Sequence, residues 1–171
     1  MAQLITGRIL SFEHDPFLVG PTAAKIHDAV LVEGGKIVGL GSFAALKAHA
    51  PQAPLKSYGE SLVMAGFVDA HVHFPQTAII ASWGKRLIDW LNDYTFPEEM
   101  RLNDPAYADM IAARYFSLAL SHGTTSACSY ATIHTQSVDA FFTQARTLGL
   151  RAWAGKTCMD KNAPYGLRDT A

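Results

Sequence analysis

The sequence predicts an α/β fold: a small β-rich segment, then about the first three strands of a TIM-like (β/α) barrel. Three observations predict it. Short apolar runs joined by a Gly-Gly turn fill the first sixty or so residues. Beyond them strand-sized and helix-sized patterns alternate, which implies parallel strands joined by crossovers. A closed eight-stranded barrel takes about 250 residues, and about 105 follow Gly66, enough for roughly three repeats.

Residues 4–12 and 29–32 are apolar runs of strand length, and residues 36–40 follow Gly34 and Gly35 directly. Two glycines between such runs predict a tight hairpin, because both tolerate the positive φ that the turn demands. Ser42 is placed to cap a short helix reaching about Ala48, closed by Pro51 and Pro54. Residues 1–62 are therefore expected to form a β-rich module without an active role, and residues 63–171 the barrel portion. The pattern changes after Tyr58, Gly59 and Glu60. Residues 62–68 are almost continuously apolar and lead into Asp69-Ala70-His71-Val72-His73, which predicts a strand buried on both faces. Residues 76–121 are rich in helix formers and aromatics. Within them Asp104-Pro105 is a cap followed by an N1 proline, Tyr107, Met110, Ile111 and Tyr115 lie near helical spacing, and His122-Gly123 ends the helix. Residues 124–130, small and β-branched, predict a second strand. Residues 136–148 predict a helix between Thr135 and Gly149, and residues 150–157 a third strand. Residues 167–171 read as the start of another helix.

The chain is 49% hydrophobic and 17% charged, with a formal net charge of -1, an ordinary globular composition. With no run of Lys or Arg, it lacks the basic face that a nucleic acid or an anionic membrane would need. No apolar run reaches the roughly 18 residues of a membrane span. Residues 1–12 lack the small-residue pattern of a cleaved signal, so a cytoplasmic location is expected. Cys128 and Cys158 fit neither a disulfide framework nor a zinc knuckle.

His71 and His73 carry the chemistry. Two residues apart at the end of an apolar strand, their imidazoles project to one side, and in a barrel that side is the interior. The C-terminal strand end is also the catalytic face of such barrels. Two neutral imidazoles on one wall make a chelating pair for a borderline metal such as zinc. A bare His-x-His also occurs on ordinary strands. Here the preceding Gly66-Phe67-Val68-Asp69 and the strand–helix alternation downstream favour the metal.

The stretch Gly66-Phe67-Val68-Asp69-Ala70-His71-Val72-His73 resembles the opening barrel strand of the amidohydrolase superfamily, and the hairpin-rich segment before it resembles that family's small β-sandwich. Phe74-Pro75-Gln76-Thr77, the block Trp90-Leu91-Asn92-Asp93-Tyr94-Thr95-Phe96-Pro97-Glu98, Gly123-Thr124-Thr125 and Gly155-Lys156-Thr157-Cys158-Met159-Asp160-Lys161-Asn162 narrow the resemblance to the guanine deaminases. It implies one zinc ion held by the His-x-His pair, two later histidines and a late aspartate. It also implies hydrolysis of guanine to xanthine and ammonia by a metal-activated water, and a homodimer as in the family. On this resemblance His71 and His73 are zinc ligands, and His73, Phe74 and Gln76 contact the substrate. Gln76 would read the purine's polar edge, since an amide both donates and accepts.

Asp69 is read as facing away from the metal, a structural support rather than a ligand. Trp90, Tyr94 and Phe96 wall the pocket as a lid or belong to the core. Lys156 ends the third strand without a visible partner, and Asp160 and Asn162, just beyond it, are placed to shape the catalytic mouth. His122 is expected to serve at a helix terminus, while His134 faces either the site or solvent. Cys158 has no histidine partner that would make it a nucleophile. The remaining ligands and the proton-shuttling glutamate are expected beyond Ala171, so no catalytic acid or base is expected within the chain. The chain is accordingly expected to be an incomplete, inactive part of a longer enzyme. Two alternatives stay open: another amidohydrolase, chlorohydrolase-like or acting on another nucleobase, and a non-catalytic metal-binding module. The cytidine-deaminase-like fold needs a Pro-Cys-x-x-Cys element that the sequence lacks.

Overall fold

The structure, a computed structural model, describes residues 1–84 and 86–169. Its contacts form two units, Met1–Ala65 and the part from Gly66 onward.

In the first unit β1 (Ala2–Phe12) is followed by the short α1 (Pro16–Val19), which begins at the Asp15 cap, and by a 3-10 turn at Gly20–Ala23. Next come β2 (Ala24–Glu33), β3 (Lys36–Gly41), α2 (Phe43–His49) and β4 (Leu55–Val63). The sheet order is β3-β2-β1-β4. The Gly34-Gly35 hairpin forms as its sequence requires, with φ of 58° and 77° at the two glycines. Ser42 caps α2 by accepting the Ala45 N–H at 3.3 Å. β1 pairs antiparallel with β2 and parallel with β4, and Leu4, Ala29, Leu31 and Ala53 form the small core. β4 is not legible in the sequence because its central Ser57-Tyr58-Gly59-Glu60-Ser61 has no apolar alternation.

The second unit starts with β5 (Phe67–His73) and a 3-10 segment, Phe74–Ile79. α3 (Leu87–Trp90), a single π-helical stretch at Leu91–Thr95 and α4 (Phe96–Arg101) then run on as one helical path. α5 (Pro105–Ser121), β6 (Thr124–Tyr130), α6 (Thr135–Leu148), β7 (Arg151–Gly155) and a 3-10 turn at Tyr165–Leu167 complete it. The three strands are parallel in the order β5-β6-β7, so the fold is mixed α/β. Asp104 caps α5 by accepting the Ala106 N–H at 3.0 Å, and α6 stops at Gly149 in the left-handed conformation. Phe74, Ile111, Tyr115, Phe116, Ala127 and Phe141 centre the core between sheet and helices.

Four expectations are corrected. Residues 62–68 are not one strand: β4 ends at Val63 and β5 begins at Phe67. The break falls at Gly66, where a Cβ would lie 2.2 Å from the Thr125 hydroxyl, so only glycine fits there. β5 is not buried on both faces, since Phe67 and Val68 stay 57% and 67% exposed on what is an edge strand of this sheet. The third strand is shorter than residues 150–157, because the Thr157 N–H turns away to the Thr132 carbonyl at 3.1 Å. The expected helix at residues 167–171 is instead a 3-10 turn ending in extended Arg168; Thr170 and Ala171 lie outside the described residues.

Candidate metal centre

At the end of β5, alternation turns Val72 onto the core and sends His71 and His73 to the opposite face. Their ring centroids are 5.6 Å apart. Tyr130 closes β6 in register with His73 and stacks on it, with centroids 4.7 Å apart and 19° between the planes. The Tyr130 ring is also 5.2 Å from that of His71. Three rings from two neighbouring parallel strands thus share the C-terminal strand end. Partial burial, and then the neighbouring His71, hold the His73 pKa below the usual imidazole range, which favours the neutral form that binds metals.

This donor pair suits a borderline divalent ion such as zinc. Among the described residues no group of three or more His, Cys, Asp or Glu side chains converges as a metal site. The two imidazoles therefore fit as one part of a ligand set.

Asp69 differs from its neighbours in a way that strict alternation does not predict. By parity it would stand beside the histidines. The register of β5 on β6 slips between Asp69 and Val72, and Asp69 pairs with the buried Ala127 on the helix-facing side. There its charge adds to burial in pushing the Tyr115 phenol up to about 12. Its carboxylate also accepts the His71 backbone N–H at 3.3 Å, a brace for the first histidine.

A cavity of about 700 Å³ flanks β5 and is lined by Asp69, His71, His73, Gln76, Trp90 and Tyr115 among others, a size typical of small-molecule sites. Phe74, expected to contact a substrate, is instead fully buried with its ring 5.0 Å from that of Phe141. The 3-10 segment that begins at Phe74 breaks the strand's alternation and aims that ring into the core. Gln76 does face the cavity, and its amide nitrogen donates to Glu99 Oε1 at 3.2 Å. Glu99 is buried on α4, and burial holds its pKa above the usual carboxylate range despite the Gln76 bond. Its neighbour Glu98 fixes α4 by accepting the Tyr107 hydroxyl at 2.5 Å and Arg101 at 2.9 Å. Trp90 walls the cavity and donates to Ser82 Oγ at 2.8 Å, while Tyr94 and Phe96 are half-buried nearby in sequence.

The other singled-out residues gather elsewhere. Lys156 pairs with Asp169, which also accepts the Met159 N–H at 2.8 Å and so pins the segment after β7. Cys158 Sγ lies 3.9 Å from the Lys156 ammonium. Burial, and next the charge of Lys156, hold the pKa of His134 below its usual value. Asp160 is exposed, as is Asn162 with φ of 56°. The His122 ring lies 2.9 Å from the Leu118 carbonyl at the end of α5 and borders the cavity there. Sequence reasoning missed Tyr130 and Glu99. Tyr130 carried a signal, since it ends its strand as His73 ends β5; Glu99 carried none, because its partner is 23 residues away.

The Amidohydrolase family profile matches residues 62–170, and that of an imidazolonepropionase-like composite domain of bacteria matches residues 29–53. Guanine deaminase of Escherichia coli K12 is 40% identical over 143 residues, covering 83% of this chain and 33% of that protein. The crystal structure of guanine deaminase from Bradyrhizobium japonicum superposes with a TM-score of 0.94 at 28% identity, over 99% of this chain and 38% of that one. The guanine deaminase from C. acetobutylicum, with guanine bound in its active site, superposes with a TM-score of 0.87 at 27% identity, over 99% and 39% of the two chains. The chain spans about a third of the length of the curated relatives it matches. With the His-x-His strand end inside a family match that covers well over half of the sequence, the chain belongs to the amidohydrolase family.

Proposed function

We propose that the protein carrying this chain hydrolyses guanine to xanthine and ammonia with one zinc ion, and that the second unit forms the opening of its (β/α) barrel. The observation that carries this reading is the pair His71 and His73, with rings 5.6 Å apart, beside a cavity that also presents Gln76. The identity of 40% to a guanine deaminase supports the choice of substrate. When bound, zinc supplies the Lewis acidity that a hydrolytic deamination needs. The chain's own residues do the rest of what can be assigned. His71 and His73 hold the ion through neutral imidazoles. Tyr130 stacks on His73 and fixes its ring plane. Gln76 binds the polar edge of the purine, and Trp90 shields one side of the cavity from water. With two ligands and no assigned acid or base, the 171-residue chain alone is expected to show no turnover.

A substrate panel tests the reading. The full-length protein should release ammonia from guanine at least about a hundredfold faster, as kcat/KM, than from adenine, cytosine or chlorotriazines. Preference for a chlorotriazine or another nucleobase would contradict it.

A further inference from the structure

We infer that Glu99 is a positioning residue for ligand recognition: it holds the amide of Gln76 so that the amide oxygen, not its nitrogen, is presented to the ligand. The inference rests on the proposed purine-binding role of Gln76 and deepens it.

An amide side chain has two faces, a nitrogen that donates and an oxygen that accepts, and a free glutamine turns either one toward a ligand. Gln76 is not free. Its Nε2 donates to Glu99 Oε1 at 3.2 Å. In its ionised form Glu99 can only accept, so the nitrogen end is the one that faces it. Turning the amide over would set two acceptor oxygens against each other beside a buried carboxyl group, which is costly where water cannot intervene. Glu99 is 6% exposed, so water cannot readily replace Gln76 as its partner.

The carboxyl group is itself held in place. Its neighbour Glu98 ties α4 to α5 through the Tyr107 hydroxyl and takes up Arg101, whose guanidinium lies 3.8 Å over the Tyr107 ring. The two adjacent glutamates thus divide the work, one locking the helix and the other reaching Gln76. Among the described residues the Gln76 oxygen accepts no hydrogen bond, and the residue borders the cavity. The oxygen is therefore the face available to a ligand, and it selects a ring edge that carries N–H groups over one with a bare acceptor nitrogen. Guanine, with its N1–H and exocyclic amino group, has such an edge.

The test uses the full-length protein. Glu99→Ala should raise KM for guanine about tenfold with kcat changed less than about twofold, the worth of one hydrogen bond to a charged group. Glu99→Gln fills the same space and can turn either end of its own amide toward Gln76, so its KM should fall between the two. In a Gln76→Ala background, Glu99→Ala should raise KM no further, because its effect travels through the lost amide. A general structural role would instead give additive effects. Independently of turnover, the side-chain NH2 resonances of Gln76 should shift on Glu99→Ala. Unchanged KM in Glu99→Ala, additive effects in the double variant, or unmoved Gln76 resonances would each overturn the inference. Wild-type protein that neither binds nor deaminates guanine would overturn the functional reading beneath it, while the resonances would still report whether the pair forms.

Discussion

Tyr115 sits 7% exposed among Phe74, Phe116 and Phe141, and among the described residues its hydroxyl has no hydrogen-bond partner. Removing that oxygen while keeping the ring should cost nothing, so Tyr115→Phe is expected to be neutral or to stabilise the protein by up to about 1 kcal/mol, read from urea midpoints. The phenol is pushed up to about 12, mainly by burial and then by Asp69. Because the folded state keeps a proton that the unfolded chain releases near pH 10, the wild type loses stability as pH rises from about 10 to about 12. The phenylalanine variant lacks that loss, so its advantage should widen across that window; a constant difference between about pH 8 and pH 11 would contradict the assignment. His71 and His73 were legible in the sequence because a two-residue period needs no knowledge of the partner strand. Phe74 was not, since the 3-10 segment that turns its ring inward starts at that residue. Asp69 reaches the helix-facing side through a register slip that depends on β6, which a single strand's pattern does not contain.

At the scale of elements, helix ends and the hairpin were readable from local chemistry: Asp104 with Pro105, Gly149, and Gly34 with Gly35 each act within a few residues of themselves. β4 and the β4–β5 break were not, because the apolar run across residues 62–68 hides a change of sheet, and the crowding of Thr125 against Gly66 belongs to a strand far along the chain. Packing of α5 and α6 on the sheet converges on Phe141, whose ring lies 5.0 Å from Phe74, 4.9 Å from Phe116 and 5.9 Å from Tyr115. Phe141→Ala should therefore cost about 3–5 kcal/mol of stability, measured by chemical denaturation. A loss under about 1 kcal/mol would mean that the aromatic cluster is not the centre of this core.

For the whole molecule, alternation of strand and helix patterns sufficed to predict parallel pairing, and β5-β6-β7 pair in that way. Continuous apolarity predicted a strand covered on both faces, yet Phe67 and Val68 are largely exposed on the edge of the three-stranded sheet. Apolar sequence records what a strand can bury, not which neighbours this chain provides. The proposed metal site has the same character: the two imidazoles lie with rings 5.6 Å apart, and the described residues supply no third His, Cys, Asp or Glu to the group. The central claim is that this pair grips the ion used for deamination. Metal content and ammonia release from guanine, measured on the same preparations of full-length wild type and His71→Ala, test it most directly. The wild type should carry about one zinc per chain, and the variant should lose most of that zinc together with at least about a thousandfold of kcat/KM. A variant that keeps wild-type turnover, or turns over guanine without zinc, would contradict it.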